Sequence, residues 1–242
     1  MYPILFKIGG VTIYSHGVMA IIGIVVALLI MFWLSKRAKL DNSVLIDNVI
    51  FTVLFGIIGA RITYFVLYRD QFASFQEIFY LWQGGMVSYG GFILGGLAYC
   101  LLFYWQKAKV VRWLDILAIA FPLGLFFGRI GNILAGEYSG VPTSSAINLG
   151  GLVPVPAYEA LLLVLIFSTC LVLIRRGAAL KNGVWTLFVL GSYSLGRFII
   201  DFWRDEPKLL SIFSLGQLVG LVIFVVCLIL YIKISLTKES KR

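Results

Sequence analysis

Long apolar stretches alternate with short polar connectors along almost the whole chain. A helix needs about 20 apolar residues to cross the hydrocarbon core of a bilayer. Seven stretches approach or reach that length: residues 15–34, 45–67, 87–106, 114–131, 155–174, 183–203 and 211–232. The pattern predicts an all-α membrane protein of seven transmembrane helices, one integral domain over residues 1–242, with short arm and loop elements outside the membrane. Two alternating runs, Pro3–Ile8 and Val11–Tyr14, flank Gly9-Gly10 and predict a hairpin arm over residues 1–14. Residues 132–157 read as the longest outer loop, rich in Gly, Pro and Ser from 138 onward, and residues 68–86 as a short interfacial helix ending at Gly84-Gly85. No internal repeat is visible, so an inverted-repeat transporter is not signalled.

Composition supports the membrane reading. The chain is 61% hydrophobic and 13% charged, against about 45–50% and about 25% in ordinary soluble domains. The formal charge of +9 could point to nucleic acid, but the basic residues lie in short clusters between apolar runs and so encode topology instead. Lys36, Arg37 and Lys39 follow the first span, and Lys107, Lys109 and Arg112 the third. Arg175, Arg176 and Lys181 follow the fifth, and Lys233, Lys238, Lys241 and Arg242 the seventh. These 13 of 20 basic residues share one side, which the positive-inside rule makes cytoplasmic. The N-terminus is then outside and the C-terminus inside. Cys100, Cys170 and Cys227 sit in three separate apolar runs without metal or disulfide spacing, and read as core residues. No cleavable signal peptide is expected at the start of the chain.

Polar residues collect at the outer ends of the spans. Arg61 stands late in the second span, in Gly59-Ala60-Arg61. Tyr89 opens the third, after Trp82-Gln83-Gly84-Gly85-Met86. Arg129 and Asn132 end the fourth, with Glu137 and Gly140 just beyond. Tyr193, Arg197, Asp201 and Arg204 end the sixth; at 100° per residue they fall within about 80° of one another on a helix. His16 opens the first span in the same layer. A charge at bilayer depth costs about 2.5–3.5 kcal/mol on insertion scales. Clustered guanidinium groups in a dry site suit a phosphate, whose oxygens match their fork of donors. The phosphate available at that depth belongs to a phospholipid headgroup.

Each residue also has a plainer reading. Arg61 or Arg204 can snorkel to headgroups, and Arg197 with Asp201 can be a structural pair. Tyr89 fits an aromatic belt, His16 a satisfied interfacial residue, and the glycines at 84–85, 90–91 and 95–96 close helix packing.

The run Gly128-Arg129-Ile130-Gly131-Asn132-Ile133-Leu134-Ala135-Gly136-Glu137-Tyr138-Ser139-Gly140 resembles the signature of the bacterial prolipoprotein diacylglyceryl transferases, Gly-Arg-x-Gly/Ala-Asn-Phe-hydrophobic-Asn-x-Glu-x-x-Gly. It departs at Ile133, where the family has Phe, and at Ala135, where it has Asn. Gly59-Ala60-Arg61, Trp82–Met86, Asp115 with Pro122, Pro154 with Tyr158-Glu159, the Tyr193–Arg204 stripe and Ser214-Leu215-Gly216-Gln217 resemble further family motifs, in the right order over nearly the whole chain. The family often carries His where this chain has Tyr89, and Tyr where it has His16.

The resemblance implies transfer of the sn-1,2-diacylglyceryl group from phosphatidylglycerol to the lipobox cysteine of a preprolipoprotein. A thioether forms and glycerol 1-phosphate leaves. The implied partners are phosphatidylglycerol, lipobox signal peptides and membrane lipids, with no nucleic acid, no metal and no cofactor. The implied place is the bacterial plasma (inner) membrane, with the site facing outward. Arg129 and Arg204 are expected on the phosphate, joined by Arg61 in the phospholipid-binding set, with Arg197 held by Asp201. Asn132 and Glu137, with Gly140, are expected at the glycerol hydroxyls or behind Arg129. Tyr89 or His16 is the candidate proton acceptor, and Tyr193 stands with the catalytic set. The thiolate is the nucleophile, and an arginine field that stabilises it directly is the alternative to a base. Two other functions stay open: a paralog that binds phospholipid without transfer, and an anion or phospholipid transporter.

Overall fold

The computed structural model describes residues 2–9, 11–43, 45–81, 84–180, 183–209 and 212–239. Gly10 of the hairpin turn, Trp82 and Gln83, and the basic residues Lys181, Lys241 and Arg242 lie outside the described residues.

Seven α-helices occupy the seven apolar segments: α1 (Ser15–Arg37), α2 (Leu45–Leu67), α3 (Ser88–Trp105), α4 (Val110–Ala135), α5 (Val155–Arg175), α6 (Val184–Ile200) and α7 (Leu215–Glu239). Of these, α1, α2, α4, α5 and α7 are long and apolar enough to cross a membrane, and α3 is a shorter apolar helix. The chain is a multi-pass membrane protein.

Two boundaries differ from the sequence expectation in ways that matter for the site. Helix α4 runs to Ala135, so Asn132 stands in its last turn and not in a loop. The stop is a Schellman arrangement: the Glu137 N–H donates to the Asn132 carbonyl and the Gly136 N–H to that of Ile133. Gly136 takes the left-handed φ of +84° that this closure requires. Helix α6 ends at Ile200, and a 3-10 turn over Asp201–Trp203 leads into an extended Arg204. The described residues of 68–86 hold no α-helix; two 3-10 turns, Arg69–Gln71 and Phe75–Phe79, take its place.

The described chain divides into two compact units, residues 35–113 and residues 1–34 with 114–242. In the first, α2 lies directly on α3. A Cβ at Gly90 would overlap the Gly59 carbonyl and the Thr63 side chain, so only glycine permits this approach. Asn48 and Gln106 lock the far end of the pair by reciprocal amide hydrogen bonds of 2.7 and 2.9 Å. Tyr99, Phe103 and Trp113 stack in its core, and the Tyr99 hydroxyl donates to the Trp113 carbonyl.

In the second unit, strands β1 (Ile4–Ile8) and β2 (Val11–Tyr14) form the expected antiparallel hairpin, with Gly9 at φ +59°. The Tyr2 N–H donates to the Leu134 carbonyl, which fastens this arm to the end of α4. Two other helices start on polar caps. Asp115, buried in α4, accepts the N–H of Gly183 through one oxygen and the N–H and hydroxyl of Thr186 through the other, so it caps α6 from a different helix. Ser214 and Gln217 form a capping box at the head of α7: the Ser214 N–H donates to Gln217 Oε1 and the Gln217 N–H to Ser214 Oγ. The Gln217 amide also donates to the Phe198 carbonyl on α6. Strands β3 (Lys208–Leu209) and β4 (Phe213–Ser214) form the small hairpin that leads into α7.

Candidate active site

The site in the second unit is organised by a residue that the sequence reading left at its margin. Glu159, one turn into α5, is 0% exposed. Its Oε1 accepts from Arg204 Nη2 at 2.6 Å and pairs with Arg197 Nη1 at 3.3 Å. Its Oε2 lies 2.6 Å from Arg129 Nε, as an ion pair without an aligned hydrogen bond. Asp201, 3% exposed, is the second carboxylate: Arg197 Nε spans both its oxygens at 3.1 and 3.2 Å, and Arg204 Nε reaches Oδ1 at 3.0 Å. Glu206 stands 3.5 Å from Arg204 Nη1 near the surface. Three arginines therefore converge on two buried carboxylates.

Local structure explains how each arrives. The last turns of α4 present Arg129, and Gly136 ends the helix before the chain turns back. Gly140 then bridges to Arg204 as an isolated antiparallel pair, with the Val141 N–H on the Trp203 carbonyl and the Asp205 N–H on that of Ser139. Val153 pairs on the other side through its N–H to the Val141 carbonyl. A Cβ at Gly140 would overlap the Val153 carbonyl. The last glycine of the signature run is thus what lets 139–141 lie between 203–205 and 153. Pro154 follows and opens α5, one turn before Glu159. Gly216, in the first turn of α7, lets the helix N-terminus approach Asp201, whose Oδ2 a Cβ there would meet at 3.2 Å. The positive end of α7 thus supports a buried anion.

The remaining residues of this unit stand around the cluster. Tyr193 faces Arg197 one turn earlier on α6. Asn132 Nδ2 donates to the Glu137 carboxylate at 3.2 Å, so these two orient each other. His16 is exposed at the start of α1, where Gly131 allows the close approach of α4: a Cβ at 131 would meet His16 Cα at 3.1 Å and Nδ1 at 3.4 Å. Arg204 belongs to the cluster, yet it is not part of a continuous helical stripe. The helix breaks at Asp201 and the extended backbone delivers it.

Arg61 and Tyr89 belong to the other unit. Tyr89 is 63% exposed at the start of α3. Arg61 is 3% exposed, and all five of its N–H groups are engaged by backbone carbonyls: Nε by Ile78, Nη1 by Gly84 and Gly85, and Nη2 by Glu77 and Tyr80. Its guanidinium lies 5.1 Å from the Phe72 ring centroid. Against the expectation that Arg61 binds phospholipid, its donors are already spent on the backbone in this structure. The residue organises residues 77–80 and 84–85. Glu159 was named only within a motif and given no role in the site, although a glutamate in the first turns of an apolar helix, in a chain with arginines at several span ends, is a legible signal.

Among the described residues of the cluster, Arg129 meets a carboxylate only through Nε, whereas Arg197 and Arg204 also engage Glu159 through a terminal nitrogen. A buried network that holds its carboxylates fixed and keeps one fork of donors available is suited to an anion with several oxygens.

Comparison with known proteins supplies the family. A family model described as prolipoprotein diacylglyceryl transferase matches residues 3–233. A phosphatidylglycerol–prolipoprotein diacylglyceryl transferase of Campylobacter jejuni subsp. jejuni serotype O:23/36 is 34% identical over 98% of this chain and 95% of its own. A protein of the same name from Parasynechococcus marenigrum is 31% identical over 85% and 81%. One from Streptococcus equi subsp. zooepidemicus is 27% identical over 96% and 94%. With the signature run building one wall of the arginine cluster, the chain belongs to the prolipoprotein diacylglyceryl transferase family.

Proposed function

We propose that this protein transfers the diacylglyceryl group of phosphatidylglycerol to the lipobox cysteine thiol of a preprolipoprotein, at the outer face of a bacterial plasma membrane. The observation that carries the reading is the fork of Arg129, fixed from behind by Glu159 and free in front. Arg129 and Arg197 hold the phosphate of the donor lipid, and Arg204 adds its charge from a position fixed by Asp201 and Glu159. The thiolate sulfur attacks the glyceryl carbon that bears the phosphate. As the carbon–sulfur bond forms, the carbon–oxygen bond breaks and its electron pair leaves on the phosphate oxygen. Preorganised positive charge at that oxygen lowers the barrier. Asn132 and Glu137 fix the headgroup glycerol, with Tyr193 and Asp201 orienting Arg197.

His16 is the proton acceptor for the thiol, because imidazole is the side chain most often used as a general base. Tyr89 is the second candidate, on its place in the third-span motif alone. The N-terminus outside and the C-terminus in the cytoplasm follow from the distribution of basic connectors, which puts the ends of α4 and α6 on the outer side.

The test is transfer of labelled lipid from phosphatidylglycerol to a lipobox peptide by purified protein. Wild type transfers label, and Arg129→Ala loses it by about 10²-fold or more, as when a preorganised donor to a developing oxyanion is removed. Binding of lipid without transfer by the wild type would favour the non-transferring paralog. If His16→Ala and Tyr89→Phe both keep near-normal transfer while Arg129→Ala does not, the arginine field alone activates the thiolate and the base assignment fails.

A further inference from the structure

We infer that Glu159 tunes the charge of the site so that the phosphate product can leave, an inference that rests on the transferase reading above. The cluster sets three guanidinium groups against two buried carboxylates, so one positive charge is left over. Glu206, partly exposed and 3.5 Å from Arg204, and Glu137, exposed and bonded to Asn132, offset it only weakly.

That balance fits the chemistry. The donor lipid is a phosphodiester with one negative charge. When its carbon–oxygen bond breaks, the electron pair stays with phosphate, and the product is a monoester whose second ionisation lies near pH 6. The reaction therefore raises the charge on the bound phosphate from one toward two. Three uncompensated arginines would hold such a dianion tightly, because a desolvated site strengthens every charge contact. A site with one surplus charge matches the substrate and binds the dianion less firmly.

Glu159 is placed for this task. It is fully buried and touches all three arginines, so its charge acts on the whole anion site. It does not compete with the phosphate for the front of Arg129, because it engages that side chain at Nε. Both its carboxylate oxygens are already committed to the arginines. It is a positioning residue that sets the field.

The measurements are steady-state and single-turnover transfer with phosphatidylglycerol vesicles and a lipobox peptide, with inhibition by added sn-glycerol 1-phosphate. For Glu159→Gln, inhibition by glycerol 1-phosphate tightens about tenfold or more, the KM for phosphatidylglycerol falls, and a first-turnover burst precedes a slower steady state. Glu206→Gln adds one charge without disturbing the buried contacts and moves inhibition the same way by a smaller factor. Glu159→Asp keeps the charge and keeps product inhibition near wild type.

A merely structural role predicts the opposite: weaker inhibition, a higher KM and no burst. That outcome in Glu159→Gln, or unchanged inhibition in both glutamine variants, overturns the inference. Should Glu159→Gln fail to fold, Glu206→Gln decides. Absence of transfer by the wild type would instead overturn the transferase reading, so the two failures are distinct.

Discussion

Arg204 Nη2 donates to Glu159 Oε1 at 2.6 Å, which joins residues 45 apart in the chain. The same guanidinium reaches Asp201 through Nε at 3.0 Å. It thus braces two carboxylates at once, a task that depends on a planar fork with separated donors.

Arg204→Lys is expected to keep the charge and lose the brace. A single ammonium cannot reproduce both contacts, so one buried carboxylate oxygen keeps only its contact with Arg197. Transfer should fall by at least about tenfold, with a stability cost of about 1–3 kcal/mol for the lost charge-assisted bond. Thermal unfolding in detergent and labelled-lipid transfer check both. Equal activity in the two proteins would show that only charge matters at this position.

Gly140→Ala tests the pairing that delivers Arg204. The added methyl would overlap the Val153 carbonyl, so 139–141 must move away from 153 or from 203–205. Overpacking of this kind costs about 1–3 kcal/mol, and activity should fall further than stability because the displaced segment carries Arg204. Wild-type transfer in this variant would show that the backbone yields without disturbing the cluster.

Much of this arrangement was readable in the sequence. The apolar periodicity placed all seven helices, because segments of this length and apolarity have few other folds in a bilayer. The glycine and arginine spacing of the signature run pointed to the wall that Arg129 builds. Side-chain partners were harder. Arg61 and Arg129 each stand in a Gly-x-Arg or Gly-Arg context near a span end, yet one is saturated by backbone carbonyls and the other keeps a free fork. That distinction depends on where residues 77–80 and 84–85 fold, which local pattern does not encode. Glu159 was undervalued for a related reason. Its importance lies in three long-range contacts, and only its own first-turn position is visible locally. The helical stripe through Arg204 failed because the break at Asp201 is set by pairing with residues 139–141.

Arg61 gives a prediction separate from catalysis. Replacing it with Met removes five donors from the carbonyls of residues 77, 78, 80, 84 and 85. The guanidinium itself is buried, and losing several charge-assisted bonds together should cost about 3 kcal/mol or more. Hydrogen exchange and limited proteolysis should show residues 77–80 and 84–85 opening first. Unchanged protection there would refute the cage role. Arg61→Lys should behave like Met, since an ammonium has three donors and no planar fork.

Asp115 offers the cleanest separation of charge from hydrogen bonding. Its two oxygens accept from opposite parts of the α6 N-terminus, Oδ2 from Gly183 and Oδ1 from Thr186. Asparagine has the same shape but only one acceptor oxygen, so its amide nitrogen must face a donor at one of the two places. Asp115→Asn should therefore cost about as much as Asp115→Ala, about 1–2 kcal/mol as for a lost helix cap. Amide exchange at Gly183 and Thr186 should quicken in both. Because α6 carries Arg197 and leads to Asp201, transfer should fall modestly, while inhibition by glycerol 1-phosphate stays unchanged. If asparagine proved neutral, the cap would need only one oxygen, and Oδ1 with its two Thr186 contacts would be the one that holds the helix.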